Sequence, residues 1–184
     1  FLTYGINTQF TARDEGYISR DNYYTTLSPY GSVYEEDGVT PKYFPNDNNN
    51  AQNPLISQTY TDKMKKIYNM NSSIFLKVDL PFGFSLQTTY SPRLEWVNDY
   101  SQRSADHPAY EDEGGYAKRT DSTLFYWQWD NMLKWNKTFG KHAFDFTGLV
   151  NWEQRKYWSS TSENSAFEPS DILGYHGIKW GTAA

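Results

Sequence analysis

The chain has 184 residues, of which 38% are hydrophobic and 18% aromatic, with 16 Tyr and 7 Trp, yet its mean hydropathy is −0.82 and its formal net charge is −5. No stretch approaches the roughly 20 apolar residues of a transmembrane helix. The Lys and Arg residues form no basic stripe of the kind that tracks nucleic acid, and without Cys there is no disulfide framework. Strand one is predicted over about 1–13, where Leu2, Tyr4, Ile6 and Phe10 alternate with Thr3, Asn7, Gln9 and Arg13. About fifty residues rich in Asn, Asp, Pro, Gly and Tyr follow, a composition that predicts turns and loops rather than helix. Strand two (about 65–80) sets Met70, Ile74, Leu76, Val78 and Leu80 against Asn69, Asn71, Ser73, Lys77 and Asp79. Pro81-Phe82-Gly83 then turns the chain into strand three (about 83–97), with Phe84, Leu86, Thr88 and Tyr90 opposite Ser85, Gln87, Thr89 and Ser91. Strand four (about 117–136) opposes Phe125, Trp127, Trp129, Leu133 and Trp135 to Gln128, Asp130 and Lys134. Strand five (about 142–158) opposes Phe144, Phe146, Val150 and Trp152 to Asp145, Thr147, Asn151 and Glu153.

Period-two alternation sustained through successive long strands gives one oily face and one wet face. The connections alternate in length as well: short after strands two and four, long after one, three and five. Outer-membrane barrels show this parity, with short periplasmic turns, long extracellular loops and aromatic girdles at both interfaces. Phe82, Phe84, Trp135 and Phe139 fall at the short-turn end, and Tyr90, Trp96, Trp127 and Trp152 toward the other. The expected fold class is therefore all-β, an antiparallel up-and-down meander forming part of a transmembrane β-barrel. Five strands are fewer than the roughly eight of the smallest barrels. The sequence opens inside an alternating pattern and stops in a loop, so residues 1–184 read as an internal fragment of a barrel domain.

Four stretches stand out in order: Ser28-Pro29-Tyr30-Gly31-Ser32-Val33-Tyr34-Glu35-Glu36-Asp37-Gly38, Asn53-Pro54-Leu55 before a returning strand, Asn136-Lys137-Thr138-Phe139-Gly140-Lys141-His142 at a short turn, and Leu173-Gly174-Tyr175. Together they resemble the SusC/RagA class of TonB-dependent outer-membrane transporters of Bacteroidetes. The resemblance spans about 28–176 and implies a barrel of about 22 strands, filled by a plug absent from this chain. It also implies energising through TonB, a SusD-like surface lipoprotein as partner, and uptake of a glycan or peptide nutrient in polysaccharide utilisation.

Candidate chemistry is sparse. His107, His142 and His176 lack paired metal-ligand spacing and read as solvated loop residues. Glu35-Glu36-Asp37 and Glu111-Asp112-Glu113 offer oxygen ligands for Ca²⁺ without an EF-hand spacing, so solvated loop charge is the preferred reading. Glu95, Asp99 and Glu153 are the carboxylates a glycosidase would need, but strand-end carboxylates are common in barrels. No Gly-x-Ser-x-Gly elbow, phosphate-binding loop or thiol nucleophile is present, and the glycosylation patterns at Asn71 and Asn136 fall in a strand and a turn. No enzyme activity, metal or cofactor is expected. Tyr30, Tyr34, Tyr43, Tyr100, Tyr110, Tyr116 and Trp158, with Phe44 and Tyr157, are the loop aromatics suited to stacking on sugar rings or packing against a capping lipoprotein, with packing among themselves as the competing reading. The alternative function is a secreted, aromatic-rich β-sandwich carbohydrate-binding module, which would bury its apolar face inside.

Overall fold

The computed structural model describes residues 1–16, 27–45, 52–167 and 172–182. Five strands, β1 (Leu2–Asp14), β2 (Thr61–Asp79), β3 (Phe84–Arg103), β4 (Tyr116–Phe139) and β5 (His142–Ser165), form one sheet in the order β1-β2-β3-β4-β5. It is an antiparallel up-and-down meander, as the alternation predicts. β4 and β5 each run 24 residues, far beyond the usual 5 or 6 or so of a globular strand.

Register follows from the tight turns. The Leu80 N–H donates to the Phe84 carbonyl at 2.8 Å, so Leu76 lies opposite Thr88 and both share a face with the even residues of β2 and β3. The turn itself, Pro81–Gly83, is a 3-10 segment in which Phe82 (φ 65) and Gly83 (φ 87) are both left-handed. A Cβ on Gly83 would run into the Asn136 carbonyl, so only glycine fits there.

Three expectations are corrected. The long connection after β1 contains a helix, α1 (Pro54–Tyr60). Asn53 caps it, accepting the Leu55 N–H at 3.0 Å, and Pro54 sits where a missing N–H costs nothing. Residues 98–103 and 159–165, expected in loops, continue β3 and β5. His107, expected in solvent, is buried.

The chain divides into two compact units. The first comprises Phe1–Arg13, Ile67–Val97 and Ser122–Ser159 and is all strand and tight turn. The second comprises Asp14–Lys66, Asn98–Asp121 and Ser160–Ala184. Its small core is Tyr100, Ala117, Phe167 and Tyr175, with Met64 and Ile178 packed against it. A 3-10 segment, Gly174–Trp180, is tied down by Asn164, whose side-chain amide donates to the carbonyls of Ile178 (3.1 Å) and Gly181 (2.7 Å).

Candidate functional site

In the first unit, one face is an aromatic ladder. Rings of Phe84 and Trp135 (6.0 Å), Trp135 and Phe139 (6.4 Å), and Phe139 and Phe144 (6.1 Å) adjoin beside the tight turns. Farther along the strands, Tyr90 meets Trp127 at 6.0 Å and Trp129 meets Trp152 at 5.4 Å. Aliphatic residues between these belts, among them Ile74, Leu76, Leu86, Leu133 and Val150, are exposed. From Phe139 to Trp127 is about 40 Å along the strand at about 3.3 Å per residue. At a tilt of about 45° that becomes about 28 Å, close to the apolar band of about 25 Å in an outer-membrane barrel.

Several polar groups on this face find partners in the sheet and its turns. The indole N–H of Trp127 donates to Gln154 Oε1 (3.2 Å), that of Trp129 to Thr88 Oγ1 (2.6 Å) and that of Trp135 to the Phe82 carbonyl (3.1 Å). The Thr8 and Ser72 hydroxyls bond each other at 3.0 Å. Asn131 differs: its amide nitrogen is buried without a partner. A face meant for water has no need to satisfy its indole donors internally, whereas one facing hydrocarbon must.

The opposite face is hydrophilic. Asp130 accepts from Gln128 at 3.0 and 3.1 Å and from Asn151 at 2.6 Å. Lys77 pairs with Asp79 at 3.6 Å, and Arg93 donates to Glu95 at 3.0 Å. Phe75, Leu124 and Leu149 are apolar residues on this face, the Phe75 ring lying over Gly5, where a Cβ would collide with it. A shallow depression of about 420 Å³ is lined by Arg93, Glu95, Leu124, Tyr126 and Arg155. The Tyr126 hydroxyl donates to Glu153 at 2.8 Å. Sequence reasoning singled out Glu95 and Glu153 but missed Arg93, Leu124, Tyr126 and Arg155 beside them, because the group is drawn from three strands. The signal that could have found it was the shared odd–even facing of residues 93, 126 and 155.

The second unit holds most of the loop aromatics, and they do not converge on one site. Tyr30 is 96% exposed, and Tyr34 is exposed beside the isolated bridge it makes with Pro41. Tyr43 packs on Phe44 at 4.5 Å and accepts from the Gln52 amide at 2.6 Å. Asn53, buried, ties this segment together by donating to the carbonyls of Val33 (2.7 Å) and Lys42 (2.9 Å). Tyr100 is a strand residue only 9% exposed. Its hydroxyl donates to Asp121 (2.5 Å) and accepts from Arg119 (3.0 Å), and its ring meets Tyr175 at 5.6 Å. Such a ring is structural rather than free to stack on a ligand. Tyr110 and Tyr116 stack at 6.0 Å, with the Arg103 guanidinium over both. Burial, followed by the bond to Glu163, pushes the Tyr116 hydroxyl up to about 12. Trp158 belongs to the first unit, on β5, and is 55% exposed.

His107 is 7% exposed, with its ring edge-on to Tyr60 (6.2 Å) and Tyr110 (5.2 Å). Its Nδ1 accepts the Ala109 N–H at 3.1 Å. Burial and then the Arg103 charge hold it below the usual imidazole range. His142 and His176 are exposed. Among the described residues, no group of His, Asp or Glu side chains is assembled to hold a metal. Asp37 instead closes its own turn, accepting the N–H groups of Val39 and Thr40 (2.9 Å each) and the Thr40 hydroxyl (2.5 Å). The Thr40 hydroxyl, followed by those N–H groups, lowers its pKa. Of the three carboxylates considered for glycosidic chemistry, Glu95 holds Arg93 and Glu153 accepts from Tyr126, whereas Asp99 lies in the second unit, 3.8 Å from Lys65.

The chain matches no protein-family model and no curated protein.

Proposed function

We propose that this chain is a wall segment of a SusC/RagA-type TonB-dependent transporter in a bacterial outer membrane, serving the uptake of a glycan or peptide nutrient. The observation that carries the reading is the first unit's aromatic face, where two belts of rings bracket exposed aliphatics and three indole donors are satisfied inside the sheet. That chemistry suits contact with lipid, and the hydrogen-bonded polar face suits a wet lumen. The sequence motifs from Ser28 to Tyr175 supply the family. Partner strands on the free edges of β1 and β5 complete the barrel, because unpaired backbone groups cost several kcal/mol each in hydrocarbon. A plug outside this chain engages TonB, and a SusD-like lipoprotein meets the long loops. The sandwich alternative needs a second layer over the aromatic face, and the described strands form a single sheet.

Fractionation tests the reading. The complete protein expressed in its host should sediment with the outer membrane, resist alkaline washing, require detergent for extraction and migrate differently on gels before and after boiling. Recovery in the aqueous fraction would overturn the proposal in favour of a secreted module.

A further inference from the structure

We infer that the polar face of the first unit carries a subsite for carboxylate-bearing ligands, centred on the Arg155 guanidinium and completed by Tyr126 and Leu124. This rests on the transporter reading, under which that face lines the lumen. The depression of about 420 Å³ that these residues line is within the usual size range of small-ligand sites and is bounded by β3, β4 and β5.

The pairing of its charges is what selects the ligand. Arg93 is committed to Glu95 at 3.0 Å, and the Tyr126 hydroxyl is committed to Glu153 at 2.8 Å. Arg155 makes no hydrogen bond or ion pair among the described residues, so its fork of five donors faces the depression uncommitted. With Arg93 offset by Glu95 and the Glu153 carboxylate engaged by Tyr126, Arg155 is the charged group of the depression left to receive a carboxylate. A guanidinium takes a carboxylate through two parallel hydrogen bonds. The Tyr126 ring and the Leu124 side chain supply the apolar surface against which a sugar ring or an aliphatic stem can rest. A carboxylate meets those requirements whether it is carried by a uronic-acid oligosaccharide or by an acidic peptide.

Calorimetry on the complete protein in detergent micelles tests the subsite, with four probes: a galacturonate trimer, its neutral methyl ester, a glutamate tripeptide and its glutamine counterpart. The structure predicts that one acidic probe binds at least about tenfold more tightly than its neutral partner, and the identity of that probe names the source. Arg155→Gln should abolish the preference, Arg155→Lys should keep part of it, and Thr147→Gln, elsewhere on the same face, should leave it intact. Equal binding of acidic and neutral probes, no binding of either acid, or a preference that survives Arg155→Gln would overturn the subsite. Each of those results, obtained on protein that still needs detergent and is heat-modifiable, leaves the transporter reading standing. Protein soluble without detergent would overturn both.

Discussion

If the sheet is the barrel wall proposed above, replacing Val150 with Arg places a charge near the middle of the membrane. Val150 is on the aromatic face, 52% exposed, six residues along β5 from Phe144. At about 3.3 Å per residue that is about 20 Å of strand. At a tilt of about 45° it is about 14 Å of depth in a band of about 25 Å, close to the midplane. Arginine there costs about 2–4 kcal/mol. That shifts the equilibrium between inserted and uninserted protein roughly 30- to 700-fold. Thr147→Arg, on the hydrophilic face, should cost within about 0.5 kcal/mol, as exposed substitutions do. The assay is the fraction of complete protein that is folded and heat-modifiable in outer-membrane preparations, measured for both variants at matched expression. Equal losses for Val150→Arg and Thr147→Arg, or a loss confined to Thr147→Arg, would refute the assignment of faces.

Two further outcomes are expected. Gly83→Ala should destabilise by about 1–3 kcal/mol beyond Gly140→Ala, because both positions are left-handed but only at Gly83 does the added carbon meet backbone, and identical urea midpoints in micelles would contradict this. His107 should make the 104–115 loop acid-sensitive. With its folded pKa depressed, the unfolded state binds the proton first, so its contribution is intact above the ordinary value of 6.5 and falls as pH drops below it. Protonation also removes the Nδ1 acceptor from the Ala109 N–H. Proteolytic nicking of the loop should therefore rise between about pH 7.5 and about pH 5 in the native protein and stay flat in His107→Phe, with parallel curves counting against the claim.

The strands of the first unit were legible because period-two alternation assigns every residue to a face: a one-residue slip would move Lys77 and Asp79 onto the aromatic face. Strand ends were less so. Asn98 to Arg103 carry no apolar alternation, yet β3 continues because cross-strand polar bonds replace it, such as Asn98 to Asp121 at 2.6 Å. The start signal of α1, Asn53 followed by Pro54, was present but was outweighed by the turn-rich composition around it. Burial of His107 depends on Tyr60, more than forty residues away in sequence, and no local pattern announces such a contact. Tyr100 looked like a loop ligand for the same reason: its cover comes from Tyr175.

The central claim, that the sheet crosses an outer membrane with its long connections outside, is tested most directly by surface labelling of whole cells. Val39, in the long connection after β1, and Lys141, in the tight turn between β4 and β5, are both exposed, and these 184 residues contain no Cys. In the complete protein, Val39→Cys should react with a membrane-impermeant thiol reagent on intact cells, and Lys141→Cys should react only after the outer membrane is permeabilised. Labelling of Lys141→Cys on intact cells, with Val39→Cys protected in a strain lacking the lipoprotein partner, would contradict the orientation and remove the main support for a transporter.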